Sequence, residues 1–147
     1  MRDLRKILYL LMIVVAGNAW AQHREVDGYK GGQIQVTPLL KTTTTSADQP
    51  IAYPQISDPE ISVFLIEIPP GGETGWHKHP YPICAYALTG QLSVEFEGGK
   101  THDLSAGQAM VECEGLFHNG KNVGKEPVKL IVSVFGEQGK AFTVRKE

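Results

Sequence analysis

Residues 71–90 read GGETGWHKHPYPICAYALTG, and this stretch places two histidines, His77 and His79, two positions apart. In an extended strand, alternate side chains project to the same side, so both imidazoles would face one point while Lys78 faces away. Two convergent imidazoles make half of a metal site, and a ligand from a distant strand is needed to complete it. A His-x-His pair alone is weak evidence for a metal site, so the surrounding sequence pattern has to show whether these two histidines are ligands.

The rest of the chain alternates between short apolar strands and turns. Residues 91–97, QLSVEFE, alternate apolar and polar side chains, and Gly98-Gly99 is a hairpin signal. No segment after residue 21 shows a convincing 3.6-residue periodicity, and closely spaced short strands indicate an all-β sandwich or closed barrel. The predicted strands are residues 34–40, 61–68, 84–88, 91–97, 103–111 with an internal turn, 128–135 and 141–144, and the threonine run 42–45 is predicted to be extended.

Two motifs in this region resemble those of the cupin superfamily. The first cupin motif, G-x5-H-x-H-x3,4-E-x6-G, fits residues 71–90 with Ile83 at the glutamate position. The second motif, G-x5-P-x-G-x2-H-x3-N, fits residues 107–122 with Cys113 at the proline position. The resemblance covers about residues 61–135. It implies one domain with the double-stranded β-helix, or jelly-roll barrel, of the cupins, and a metal inside its mouth.

The resemblance also implies a ligand set. The imidazole ligands carried over are His77, His79 and His118. Ile83 cannot bind a metal, and a four-residue gap would put Cys84 in its place but would break the spacing to Gly90. The implied site therefore has three histidines and an inward-facing Ile83, and it holds a divalent transition metal (Fe, Zn, Mn, Ni or Cu). Without a carboxylate ligand, such a site should favour an anionic or chelating ligand, or a bound hydroxide.

Other side chains near the two motifs are candidates for shaping the pocket or assisting its chemistry. The candidate pocket residues are Trp76, Ile83, Tyr86 and Phe117. Glu73, Glu112 and His102 are candidates for acid–base roles or for supporting the ligands, although a solvated or structural role is the commoner outcome for such residues. His23 is expected to be exposed, and no catalytic residue is assigned.

Three hypotheses about function remain open. Three-histidine cupins include thiol and diketone dioxygenases, so the first is a mononuclear metalloenzyme, an oxygenase or isomerase, acting on a small chelating substrate. The second is a non-enzymatic module that binds a small molecule or sugar, and the third is a barrel without a ligand. The family also suggests a homodimer.

The first 21 residues have the anatomy of a secretory signal peptide. A basic opening precedes the apolar stretch 7–16, which is too short for a membrane span of ~20 residues, and Ala19-Trp20-Ala21 is a cleavage pattern. The expected mature protein begins at Gln22, has no membrane span and is periplasmic or secreted. The predicted organisation is a signal peptide over residues 1–21, an irregular N-terminal arm with a short strand over 22–58 and the cupin barrel over 59–147.

Composition limits the partners and the cysteine chemistry. The 147 residues include 14 Lys plus Arg against 16 Asp plus Glu, so no basic excess favours nucleic acid, and the length suits one domain. In an oxidising compartment, Cys84 and Cys113 are able to form a disulfide that closes a loop of about 30 residues. The alternative is two unpaired thiols packed as small apolar groups, and the sequence does not choose between them.

Overall fold

The computed structural model describes residues 34–147, and the unit Thr37–Glu147 consists of strands, turns and loops. Within the described residues, no helix is long and apolar enough to cross a membrane. The predicted signal peptide over residues 1–21 and His23 lie outside them. The strands are β1 (Pro59–Ile68), β2 (His77–Lys78), β3 (Ile83–Thr89), β4 (Gln91–Phe96), β5 (Thr101–Ser105), β6 (Ala109–Val111), β7 (His118–Asn122), β8 (Val128–Glu137) and β9 (Val144–Arg145).

These strands form two antiparallel sheets. The first sheet has the order β1-β8-β3-β6, and the second has the order β5-β4-β7-β2-β9. Strands distant in sequence, such as β1 and β8, are neighbours, as the crossing connections of a jelly roll require. Buried side chains from both sheets form one hydrophobic core. The predicted all-β jelly-roll fold is confirmed.

Alternation along the strands determines which side chains enter the core. β8 pairs with β1 over ten positions, from Pro59↔Glu137 to Ile68↔Val128. Successive side chains of a strand point to opposite faces, so one face of β8 is buried along its length. The buried aliphatic residues of β8 are Val128, Leu130, Val132 and Val134. The strands predicted at 61–68, 84–88, 91–97, 103–111 and 128–135 are confirmed, with small differences at their ends.

The turn between β3 and β4 requires a glycine. Gly90 has a φ of +79°, a conformation that a residue with a Cβ adopts only at a cost. A Cβ at this position would also lie 2.8 Å from Val128 Cγ2, closer than real Cβ contacts. The last glycine of the first motif is therefore needed where the chain passes from one sheet to the other.

The N-terminal arm departs from the prediction. Residues 34–40 form no strand, and the threonine run contributes only an isolated bridge between Thr44 and Pro50. The reason is local hydrogen bonding, because Thr42 Oγ1 donates to the Thr44 carbonyl at 2.9 Å and accepts from the Thr44 amide at 3.0 Å. Such bonds compete with pairing to another strand.

The last strand is also shorter and later than predicted. The structure has β9 at Val144–Arg145, whereas the sequence predicted residues 141–144. Only two residues pair with β2, and they lie at the edge of the second sheet. An apolar run of a few residues does not reveal where such a short edge pairing begins.

Candidate metal centre

Strands β2 and β7 bring three histidines together. His77 on β2 is the cross-strand partner of His118 on β7, so their side chains lie on the same face. His79 follows His77 by two positions and shares that face. The ring centroids are 4.4 Å apart for His77 and His118, 4.8 Å for His77 and His79, and 5.0 Å for His79 and His118. The structure thus places all three predicted imidazole ligands in one cluster.

Backbone carbonyls orient each of the three rings. The Nδ1 atoms of His77, His79 and His118 lie 2.7, 2.7 and 3.1 Å from the carbonyl oxygens of Gly75, Phe142 and Leu116, respectively. A carbonyl oxygen only accepts hydrogen bonds, so each Nδ1 carries a proton and donates it. In the neutral ring, Nε2 then presents a lone pair, which is the form that binds a metal.

A carboxylate completes the cluster, and the three-histidine prediction is wrong on this point. Glu112 Oε2 lies 3.1 Å from His79 Nε2 and 3.2 Å from His118 Nε2. One ligand atom from each of the four side chains lies within 4.8 Å of the others. The Glu112 side chain is 13% exposed, so it is not a solvated surface group, and its hydrogen bonds are to two of the predicted ligands.

The position of this carboxylate follows from the pairing of β3 with β6. Cys84 pairs with Val111, and one step further the Glu112 amide donates to the Ile83 carbonyl at 2.8 Å. Ile83 and Glu112 are therefore opposite each other, and opposite residues of an antiparallel pair share a face. Ile83 is fully buried and lines the cavity. The glutamate that the first motif lacks thus has a counterpart directly across the ladder.

The electrostatics of the cluster favour a cation at its centre. Burial by itself would raise the pKa of Glu112, but hydrogen bonds and charge interactions with His118 and His79 lower it to about 2. Burial lowers the pKa of His77 below its ordinary value of 6.5, so this ring is neutral at neutral pH. These hydrogen bonds to Glu112 use the Nε2 atoms of His79 and His118, which are the atoms that would bind an ion. A divalent ion bound by these nitrogens and the carboxylate would take the place of the hydrogen bonds, and three imidazoles with one carboxylate fit a divalent transition metal.

The cluster lies in the wall of a cavity of about 210 Å³. The exposed surface of the lining is mainly apolar, and its aliphatic side chains come from both sheets, for example Leu92, Met110 and Val132. The Phe142 ring adds an aromatic surface and lies 6.3 Å from the His79 ring. A small molecule in this cavity would therefore contact the four potential ligands at one end and apolar side chains elsewhere.

Comparison with known proteins agrees with this arrangement. The Cupin domain family matches residues 64–135. The chain belongs to the cupin superfamily. No curated protein matches it.

Several solved structures are similar to this cupin. A cupin domain from Bordetella pertussis is 31% identical over 56% of this chain and 88% of its own, with a TM-score of 0.47. An oxalate decarboxylase from Lactobacillus farciminis, in a formate complex, is 27% identical over 58% of this chain and 26% of its own, with a TM-score of 0.50. An oxalate oxidase in complex with the substrate analogue glycolate is 29% identical over 50% of this chain and 41% of its own, with a TM-score of 0.45. This cupin therefore covers less than half of that oxalate oxidase chain.

The aromatic residues proposed for the pocket of this cupin do not line it. Trp76 precedes His77 and Phe117 precedes His118, so alternation turns both rings away from the cluster. Instead, the Lys146 ammonium lies 5.5 Å from the Trp76 ring centroid and 5.2 Å from the Phe117 ring centroid. The two rings therefore contact the C-terminal segment on the side of β2 and β7 that faces away from the cluster.

Three further candidates also lie away from the cluster. Tyr86 occupies the face of β3 opposite to Ile83 and does not line the metal-site cavity. Glu73 is exposed and forms an ion pair with Lys121 at 2.9 Å, which lowers the pKa of its carboxyl. His102 on β5 lines a separate cavity beside the N-terminal arm.

Both described cysteines are free, so the disulfide alternative is wrong. Cys84 is exposed on the outer face of β3, whereas Cys113 is buried, and thiols on opposite sides of a sheet cannot meet. Cys113 Sγ lies 3.1 Å from His118 Nδ1. Burial, with the nearby Glu112 charge, raises the pKa of Cys113 to about 12. It therefore remains a neutral thiol that packs beside a ligand.

Proposed function

We propose that this cupin is a mononuclear metal-dependent enzyme of the oxygenase type that acts on a small molecule. The observation that carries the proposal is the convergence of His77, His79, His118 and Glu112 on one point in the wall of an apolar cavity. Four protein ligands leave open positions on a five- or six-coordinate ion, and open positions are what catalysis requires. When bound, a first-row transition metal supplies Lewis acidity and, for Fe, Mn or Cu, redox chemistry.

The protein side chains have separable roles in this proposal. The three backbone carbonyls fix the tautomers and orientations of the imidazoles, so the ligands are organised before the ion arrives. Glu112 contributes one negative charge, which partly offsets that of a divalent ion. The aliphatic walls limit the access of water to the substrate and strengthen electrostatic interactions inside the cavity.

One of the similar structures supports an enzymatic role. The oxalate decarboxylase from Lactobacillus farciminis is 27% identical with a TM-score of 0.50, and its name assigns it a reaction on a small carboxylate. This cupin covers 26% of that chain, so the relative supports small-molecule chemistry on the shared fold and does not extend to its substrate.

We also propose that this cupin is exported, because residues 1–21 have a signal-peptide pattern. The periplasm or the extracellular medium would then be its place of action. N-terminal sequencing of the protein from an exported fraction should find Gln22 as the first residue. A chain that retains Met1 in the cytoplasmic fraction alone would contradict export.

The enzymatic proposal is tested by turnover in defined metal forms. Protein loaded separately with Fe²⁺, Mn²⁺, Cu²⁺, Ni²⁺ or Zn²⁺ is given small carboxylic acids, thiols and diketones, while dioxygen uptake and products are measured. We expect turnover in one metal form and a loss of about 100-fold or more in His118→Ala, with His102→Ala as the matched control. Saturable binding without turnover in every metal form would contradict the enzyme and favour a binding module.

A further inference from the structure

Arg145 lies at the mouth of the metal-site cavity, on the same face as a ligand. In the pairing of β2 with β9, Arg145 is directly opposite His77. Opposite residues of an antiparallel pair project to the same face, so the guanidinium stands beside the imidazole cluster. Arg145 accordingly lines the cavity together with the four potential ligands. Its Nη1 atom would be 3.8 Å from a Cβ at Gly75, so the guanidinium lies across this glycine.

The segment that carries Arg145 is held in place by its neighbour. The Lys146 amide donates to the Trp76 carbonyl at 3.0 Å, and the Lys146 ammonium pairs with Glu97 at 2.7 Å. The same ammonium lies over the Trp76 and Phe117 rings. These contacts hold the backbone of β9 beside β2, so the chain carries the exposed Arg145 side chain at the cavity.

The guanidinium has no acidic partner in the described part of the chain. Within residues 34–147, four lysines form ion pairs with carboxylates but Arg145 forms none. Among the described residues that line the cavity, Glu112 is the only acidic one, and it contacts His79 and His118. An arginine without an acidic partner in residues 34–147 thus lines a cavity whose exposed lining surface is mainly apolar.

We propose that Arg145 selects a small organic monoanion, a carboxylate on an apolar body, as the ligand of this site. The inference rests on the proposed metal centre. A divalent ion, the Glu112 carboxylate and the Arg145 guanidinium together have a net positive charge, which a bound anion would partly offset. The cavity of about 210 Å³ lies below the ~300–1,000 Å³ of pockets for drug-sized ligands, so the ligand is small. Its aliphatic walls favour a hydrocarbon body over a sugar or a second charged group.

The test compares an acid with its neutral isostere on metal-loaded protein. Calorimetry measures the Kd of three probes: 4-methylpentanoate, 4-methylpentanamide and inorganic phosphate. The proteins are wild type, Arg145→Gln, Arg145→Lys and the control Lys125→Gln, which removes one positive charge from an exposed position outside the strands. The metal content of every sample is measured first. We expect wild type and Lys125→Gln to prefer the acid over the amide by about tenfold, and Arg145→Gln to lose this preference while it keeps its metal. Arg145→Lys should retain part of the preference.

The outcomes separate failure of this inference from failure of the metal centre. A wild type that binds no metal would overturn the proposed function, and this inference with it. Metal-loaded wild type that binds acid and amide equally or not at all, or that prefers phosphate, would overturn the role of Arg145 alone. Equal acid preference in wild type and Arg145→Gln, at equal metal content, would do the same.

Discussion

A single pair of opposed residues explains how the cluster keeps a carboxylate although the first motif has isoleucine in its place. Ile83 and Glu112 face each other across the β3–β6 ladder and project into the same cavity. The reach of a glutamate side chain from either strand is therefore similar. The sequence could not show this, because motif spacing describes one strand at a time, whereas the pairing register of β3 with β6 is a tertiary property.

This relationship predicts that the carboxylate can be exchanged between the two strands. Glu112→Ile should weaken metal affinity by at least about tenfold, since one ligand is lost and an apolar group replaces it. The double variant Ile83→Glu/Glu112→Ile should recover most of the affinity, because it returns the carboxylate to the position that the motif prescribes. Competition with a chelator of known affinity measures each Kd.

Ser93→Ala, which removes an exposed hydroxyl on the outer face of β4, serves as the control for this exchange. Circular dichroism checks that every variant folds. A double variant with no more affinity than Glu112→Ile would show that the two positions are not equivalent, and an undiminished affinity in Glu112→Ile would remove Glu112 from the ligand set.

At the scale of strands, the strands that could be predicted from the sequence are those rich in apolar side chains at alternate positions. β4 and β8 alternate clearly, and their positions were predicted. β7 reads HNGKN and has no strand-forming composition, so its existence was missed. Tertiary partners hold it instead: His118 pairs with both Phe96 and His77, and Asn122 pairs with Leu92. β7, which supplies the third imidazole, is thus the strand that is hardest to predict from its own residues.

Asn122 shows how such a strand is stabilised, and it provides a stability prediction. Its buried Nδ2 donates to the carbonyls of Ile68 at 2.9 Å and Glu126 at 2.8 Å, and its Oδ1 accepts from the Gly124 amide at 2.9 Å. Asn122→Ala leaves these backbone groups without partners, so the free energy of unfolding should fall by about 2–4 kcal/mol. Urea denaturation measures the change.

The matched control is Ser93→Ala, which removes a hydrogen bond to Asp103 on the exposed face and should cost less than about 0.5 kcal/mol. Equal stability of Asn122→Ala and wild type would contradict the role given to this side chain.

At the scale of the whole molecule, the outer face of the first sheet carries several exposed apolar side chains. Ile61, Val63 and Leu65 on β1 are 67%, 63% and 58% exposed, and Phe135 on β8 lies opposite Ile61. β1 is also an edge strand of its sheet. Proteins that remain monomeric rarely expose a contiguous patch of this kind, and unpaired edges invite association. We propose that a second copy of the chain covers this face, which fits the homodimer suggested by the resemblance to cupins.

The dimer is tested by light scattering on the purified protein. Wild type should have twice the mass of the chain, and Val63→Glu should have the mass of one chain with an unchanged circular dichroism spectrum, because a charge would be buried in the interface. Thr101→Glu, at an exposed position on β5 of the other sheet, should remain dimeric. A monomeric wild type would contradict the proposal.

The central claim is that His77, His79, His118 and Glu112 together bind one metal ion, and metal content tests it most directly. Mass spectrometry on untagged protein from an exported pool should find close to one transition-metal ion per chain. The ion should be lost from the His77/His79/His118 triple alanine variant and reduced in Glu112→Ile. His102→Ala, whose ring lines a separate cavity, should keep it. No metal in wild type after reconstitution with each candidate ion, or equal metal in wild type and the triple variant, would contradict the account.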